Sequence, residues 1–176
     1  NRRAASTVEW SMASSRPLSC CAAVAVLLSL YGPAVAQKYE GPRPPKPDVP
    51  YLLHASKLVE TEQAEAQESK RKDDTVYSVP GAASPARTPL AEPIFILESE
   101  KLIPEKLELY RLDVKGGQRL ITFSDRRPKN NPRPLPLSIT RLDKNLYRIE
   151  AATGLENGEY SLTPSGSNRV FLFQVY

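Results

Sequence analysis

From Glu92 to the C-terminus, short runs that are either apolar or alternate apolar with polar recur at spacings near ten residues, the pattern of β-strands and not of a helix. Seven such stretches recur: Pro93–Glu98, Leu107–Val114, Gln118–Ser124, Leu135–Leu142, Leu146–Ala151, Glu159–Thr163 and Arg169–Tyr176. Between them lie residues with turn chemistry, among them Asp143-Lys144-Asn145 and Glu156-Asn157-Gly158. Gly116-Gly117 supplies the two left-handed positions of a tight turn, so the second and third stretches are predicted to form a hairpin. In the second stretch Leu107 and Leu109 point one way and Tyr110, Leu112 and Val114 the other, which predicts a bulge near Leu109 or Tyr110. The last stretch is apolar on both faces and is expected to lie centrally in a sheet. Leu, Ile, Val and Phe make up 26 of the 86 residues from 91 onward, enough to bury a core. The expected fold class is mainly β, a small seven-stranded antiparallel sandwich of immunoglobulin-like or related topology over 91–176; a partly open barrel is the alternative.

The preceding stretch is built differently. Between Gln37 and Leu90 the same four residue types number only 8 of 54, too few for an independent core. Residues 37–56 include GPRPPKPDVP at 41–50, whose five prolines predict an extended spacer. Residues 57–90 open with KLVETEQAEAQESKRKDD, acidic early and basic late, which predicts a helix over Val59–Lys72. A polar hairpin spanning Leu52 to Val79 is the competing reading, because no apolar stripe exists to dock a helix. Pro, Gly, Ser and Ala then dominate 80–91, as in a linker.

Residues 12–36 read as a secretory signal peptide. Arg16 precedes the 13-residue run LSCCAAVAVLLSL, and Ala34-Val35-Ala36 offers small side chains for cleavage after Ala36. The run falls short of the about 20 apolar residues that span a bilayer, so no stable membrane span is expected after cleavage. Residues 1–11, ahead of Met12, are read as an upstream non-native extension. Cleavage would leave 140 residues without Cys, Met or Trp, a composition suited to an oxidising periplasmic or extracellular compartment. It would also leave 21 basic against 19 acidic residues, so the basic isoelectric point of the full chain overstates any attraction to nucleic acid.

Candidate chemistry is sparse. His54 is the single histidine and has no acid–base partner nearby in sequence, which argues against a Ser–His–Asp relay. Glu98, Glu108, Asp113, Asp143, Glu150, Glu156 and Glu159 fall in turns or alternate outward, as a solvated strand face requires. Asp73-Asp74 alone does not make a calcium loop, and there is no phosphate loop, dinucleotide fingerprint or H-E-x-x-H helix. The expectation is therefore a non-enzyme with no catalytic residue, cofactor or metal. The densest basic stretch is 125–134, where Arg126, Arg127, Lys129 and Arg133 face one acid, Asp125. These four are the candidate ligand-binding residues, suited to an acidic polysaccharide or an acidic partner face. Without interleaved aromatics for base stacking, nucleic acid is not expected.

Leu155-Glu156-Asn157-Gly158-Glu159-Tyr160-Ser161-Leu162, followed by a turn and the apolar Val170–Val175 strand, resembles the final hairpin of exported bacterial sandwich modules, in which a pGEY-type motif places its Tyr against the last strand. Asn157 stands where those modules commonly carry proline. The succession of signal peptide, Pro-rich segment and C-terminal sandwich is also similar to that of uncharacterised exported bacterial proteins. The resemblance implies a fold and transfers no functional residues. Together these features predict a non-catalytic exported module of the cell envelope that binds an envelope or extracellular protein partner, with a carbohydrate-binding or polysaccharide-active accessory domain as the alternative.

Overall fold

Thirteen strands, none longer than nine residues, carry the fold in the computed structural model, which describes residues 39–176. The expected signal peptide and upstream extension lie outside the described residues. The first six strands are β1 (Tyr51–His54), β2 (Lys57–Glu60), β3 (Glu62–Glu65), β4 (Gln67–Arg71), β5 (Asp74–Pro80) and β6 (Arg87–Thr88). After them come β7 (Ile94–Glu98), β8 (Leu107–Lys115), β9 (Gln118–Ser124), β10 (Leu137–Arg141), β11 (Leu146–Ala151), β12 (Gly158–Pro164) and β13 (Arg169–Val175). Among the described residues helical structure is confined to single 3-10 turns at Pro104–Lys106 and Pro128–Asn130, each begun by a proline whose missing N–H costs nothing there.

The strands form two curled sheets, antiparallel except where β6 runs parallel to the end of β13. One has five strands in the order β10-β11-β7-β1-β2; the other follows β3-β13-β12-β8-β9-β5-β4. Phe95, Leu97, Leu52 and Ile149 from the first sheet share one core with Leu109, Leu162, Phe171 and Phe173 from the second. Phe173 is fully buried, with the Phe95 ring edge-on at 4.9 Å and the Tyr160 ring stacked at 5.6 Å. Tyr160 donates its hydroxyl to the Glu156 carbonyl at 2.8 Å, which removes the cost of burying a phenol.

The larger sheet has a second apolar face. Val170, Leu172, Leu112, Val79 and Ala66 form a separate buried cluster, flanked by Tyr77 and Ile121. This explains two sequence patterns at once. β13 is apolar on both faces because Phe171 and Phe173 enter the shared core while Val170 and Leu172 enter the other cluster, and it lies between β12 and β3. β8 needs no bulge: it pairs continuously with β12 from Leu107 to Leu112, with Leu109 on one buried face and Leu112 on the other. At the end of β8, Gly116 (φ +60) and Gly117 (φ +73) make the tight turn into β9.

Residues 57–71 are extended and Lys72 turns the chain with φ +56, so the expected helix is absent. Gln63, Ala64 and Glu65 pair with β13, and Gln67–Arg71 pair with β5. Ladder hydrogen bonds on an existing sheet outweigh a helix propensity that no docking face supports. The alternative hairpin also differs in its partners, since Leu58 and Val59 pair with Leu53 and Leu52 while Val76 and Tyr77 pair with Ser69 and Glu68. β3 and β4 occupy opposite ends of the large sheet, yet only Ala66 separates them along the chain. One strand thus serves both edges, and the sheet rolls up to meet itself.

The proline-rich stretch is likewise part of the body and not a free spacer. Pro44, Val49 and Pro50 are buried, and Arg43 forms an ion pair with Asp143. Asp48 adopts φ +58, donates its N–H to the Glu98 carbonyl, and accepts the N–H groups of Glu100, Lys101 and Leu102 on one carboxylate oxygen at 2.8–2.9 Å. Burial alone would raise its pKa, but these three bonds outweigh burial and hold it below the ordinary 3.8. Asp48→Ala is expected to cost about 2–3 kcal/mol in urea denaturation, from lost charge-assisted bonds and a left-handed backbone. Because the folded pKa is depressed, that contribution is complete above pH 3.8 and fades as pH falls through the folded value.

Candidate binding cup

The rolled sheet encloses a cup of about 640 Å³, within the range of ligand pockets. Its lining follows from strand alternation: every second residue of β4, β5, β8, β9, β12 and β13 points inward. The paired positions define three levels. Val79 lies opposite Arg119, Tyr77 opposite Ile121, and Thr75 opposite Phe123; across the cup, Leu112 lies opposite Glu159, Tyr110 opposite Ser161, and Glu108 opposite Thr163.

The closed end is plugged by charge. Arg119 is 1% exposed and donates both terminal nitrogens to the two oxygens of Glu62 at 2.6 and 2.8 Å. Its remaining bonds go to the carbonyls of Gly81 and Pro80. Glu159, 3% exposed, lies 3.7 Å from the same guanidinium and accepts the Ser84 N–H on one oxygen. Its other oxygen has no hydrogen-bond partner. Burial pushes the Glu159 pKa up against the pull of Ser84 and Arg119, whereas the Arg119 hydrogen bonds hold Glu62 down. This plug ties β9 to β3 across the roll and fastens the 80–84 loop beneath it. Beside it Leu172, Leu112 and Val79 form an apolar floor.

Three rings stand at the middle and mouth. Phe123 meets Tyr77 edge-on at 6.0 Å and 78°, and Tyr110 edge-on at 6.0 Å and 88°. Tyr110 donates its hydroxyl to Glu108 at 3.0 Å. Burial first, and then that carboxylate, push its pKa up to about 12, so the phenol stays a donor. Burial and Glu68 raise Tyr77 in the same way. Glu68, Lys70 and Asp125 complete the mouth with Glu108.

The four cations singled out from the sequence are placed outside this cup, on the exposed loop that leaves its mouth at Asp125. Arg126 pairs with Asp73 at 3.1 Å; Arg127, Lys129 and Arg133 have no acidic partner among the described residues. Asn131 shapes the loop by accepting the Ser124 N–H at 2.7 Å. Two carboxylates expected on a solvated face are placed otherwise: Glu159 is buried in the plug and Glu108 faces the cup. The cup itself was hidden in the sequence, although Arg119, Ile121 and Phe123 at period two mark one inward face of β9. His54 closes β1 opposite Lys57, away from the cup.

Among the described residues no group of three or more His, Cys, Asp or Glu side chains could hold a metal ion, and no helix is long and apolar enough to cross a membrane. Comparison with family models, with curated proteins and with solved structures returns no match.

Proposed function

We propose that this chain is a non-catalytic binding module that receives an apolar or aromatic group of its ligand in the cup. The observation that carries the reading is the cup itself, with an aliphatic floor, an aromatic wall and one end plugged by Arg119 and its carboxylates. The charged plug favours a structural role for its carboxylates, because Arg119 is fully engaged and Glu159 is sealed from the mouth. The finer architecture is a sandwich of immunoglobulin-like or related type whose larger sheet rolls up; the shared core and the Tyr160 hydroxyl bonded back to Glu156 support it. Its place is the periplasm or the extracellular space, on the strength of the residue 12–36 signal pattern, and its ligand is carried by an envelope or extracellular protein.

The test is binding of a neutral apolar dye, N-phenyl-1-naphthylamine, followed by fluorescence. The wild-type chain is expected to bind it, and Thr163→Trp, which fills the mouth with an indole, is expected to weaken binding at least about tenfold while leaving the denaturation midpoint close to wild type. Equal binding by the two proteins would remove the cup from consideration.

A second reading rests on the loop: three exposed cations that have no acidic partner among the described residues suit an acidic polysaccharide. Retention of the wild-type chain on a polyuronate, lost on joint replacement of Arg127, Lys129 and Arg133 by Ala, would favour it.

A further inference from the structure

The cup is graded along its axis. At the floor are Leu172, Leu112 and Val79, hydrocarbon only. The next level is aromatic, with Phe123 set nearly perpendicular to both Tyr77 and Tyr110, so that ring faces and edges bound one space. The lining of the mouth holds three carboxylates, Glu68, Glu108 and Asp125, and one ammonium, Lys70, while the loop cations Arg127, Lys129 and Arg133 lie outside the lining. The one cation deeper in the cup, Arg119, is neutralised at contact by Glu62 and has Glu159 a further 3.7 Å away. It offers an incoming anion nothing. Glu108 accepts the Tyr110 hydroxyl at 3.0 Å, which leaves a negative charge on the rim of a ring whose face is itself electron-rich.

Carboxylates lining the entrance and π-faces at mid-depth favour a positively charged group over a neutral polar group and over an anion. The floor, in turn, gains from hydrocarbon and from nothing charged. We infer that the cup takes an organic ammonium group carried on an apolar stem, the stem reaching the Leu172–Leu112 floor and the cation resting between the Tyr77, Tyr110 and Phe123 rings and the Glu68 and Glu108 carboxylates. This rests on the cup being the binding site. The ammonium can belong to a free amine or to a lysine side chain of a partner protein.

Isothermal titration of the full chain with three probes of one size, benzylammonium, benzyl alcohol and benzoate, tests the inference. Benzylammonium is expected to bind about tenfold or more tighter than benzyl alcohol, and benzoate to give no measurable heat. Glu108→Gln, which keeps the shape of the side chain, is expected to remove most of the preference for the cation while changing benzyl alcohol affinity less than about twofold. Glu68→Gln serves as the second variant should the first lose its fold. Nα-acetyl-lysine methylamide separates the two sources: affinity comparable to benzylammonium assigns the group to a partner's lysine, and much weaker binding assigns it to a free amine. Benzyl alcohol or benzoate binding as tightly as benzylammonium would overturn the inference and leave the cup standing as a ligand site. Silence from all the probes, with the naphthylamine dye also unbound, would overturn both.

Discussion

Arg119→Met destabilises the protein by about 3–5 kcal/mol at neutral pH, read from urea denaturation followed by circular dichroism. The magnitude comes from what the substitution leaves behind and not from the pair it removes. Arg119 occupies the closed end of the roll, where Glu62 and Glu159 both depend on its charge. Without it two carboxylates are stranded among β3, β9 and β12, with the Ser84 N–H and hydroxyl and the Arg87 charge as their remaining support. The pH dependence has a definite sign. In the wild type the Arg119 hydrogen bonds hold the Glu62 pKa below 4.5, so its contribution is present above pH 4.5 and fades as pH falls through the folded value. In the variant burial raises both carboxyl groups, and the penalty accumulates above pH 4.5 instead. The gap between variant and wild type is therefore expected to narrow below about pH 4.5. Adding Glu62→Met and Glu159→Gln to Arg119→Met is expected to recover part of the loss, since a shape-filling neutral plug costs less than an unpaired charge. A loss under about 1 kcal/mol for Arg119→Met would mean the plug is hydrated.

Phe173→Ala carries a loss of similar size, about 3–5 kcal/mol, for an unrelated reason. The ring is fully buried between the sheets, edge-on to Phe95 of β7 and stacked on Tyr160 of β12, so its removal opens a cavity among elements that cannot all collapse into it. Since β7 belongs to the smaller sheet and β12 and β13 to the larger, the loss should appear as one cooperative transition shifted to lower urea and not as partial melting. Two separated transitions would mean that the shared core does not couple the sheets.

Several elements were legible before any coordinates. Gly116-Gly117 demanded a tight turn, and the apolar run Ile94–Leu97 and the alternation of Leu146–Ala151 demanded strands; the structure has both, with the first of those strands buried on both faces. Residues 57–71 form strands where composition predicts a helix, and the reason is physical. Glu62, Ala64, Ala66, Glu68 and Lys70 form the inward set of the strand that closes the roll, and their small or charged side chains leave no apolar stripe by which a strand is recognised. Pairing on both sides, with β13 and β5, decides their conformation, and such pairing is long-range information that composition does not carry. The bulge expected near Leu109 rested on the assumption of one buried face; β8 has two. Arg119 and Glu159 are buried charges that no pattern in the sequence marks, because their partners come from separate strands. Exposed loop cations such as Arg127 and Lys129 drew attention because clustered charge is visible in a string of letters, whereas inward-facing Tyr77, Tyr110 and Phe123 become a group only when three separate strands meet.

That the roll encloses a ligand site is tested most directly by methyl NMR of the full chain during titration with N-phenyl-1-naphthylamine. Shifts are expected at Ile121, Leu112, Val170 and Leu172, all of which line the cup, with Leu97 and Ile149 in the core between the sheets unmoved. Perturbation of Leu135 and Leu137 beside the basic loop, with the four cup residues silent, would contradict it.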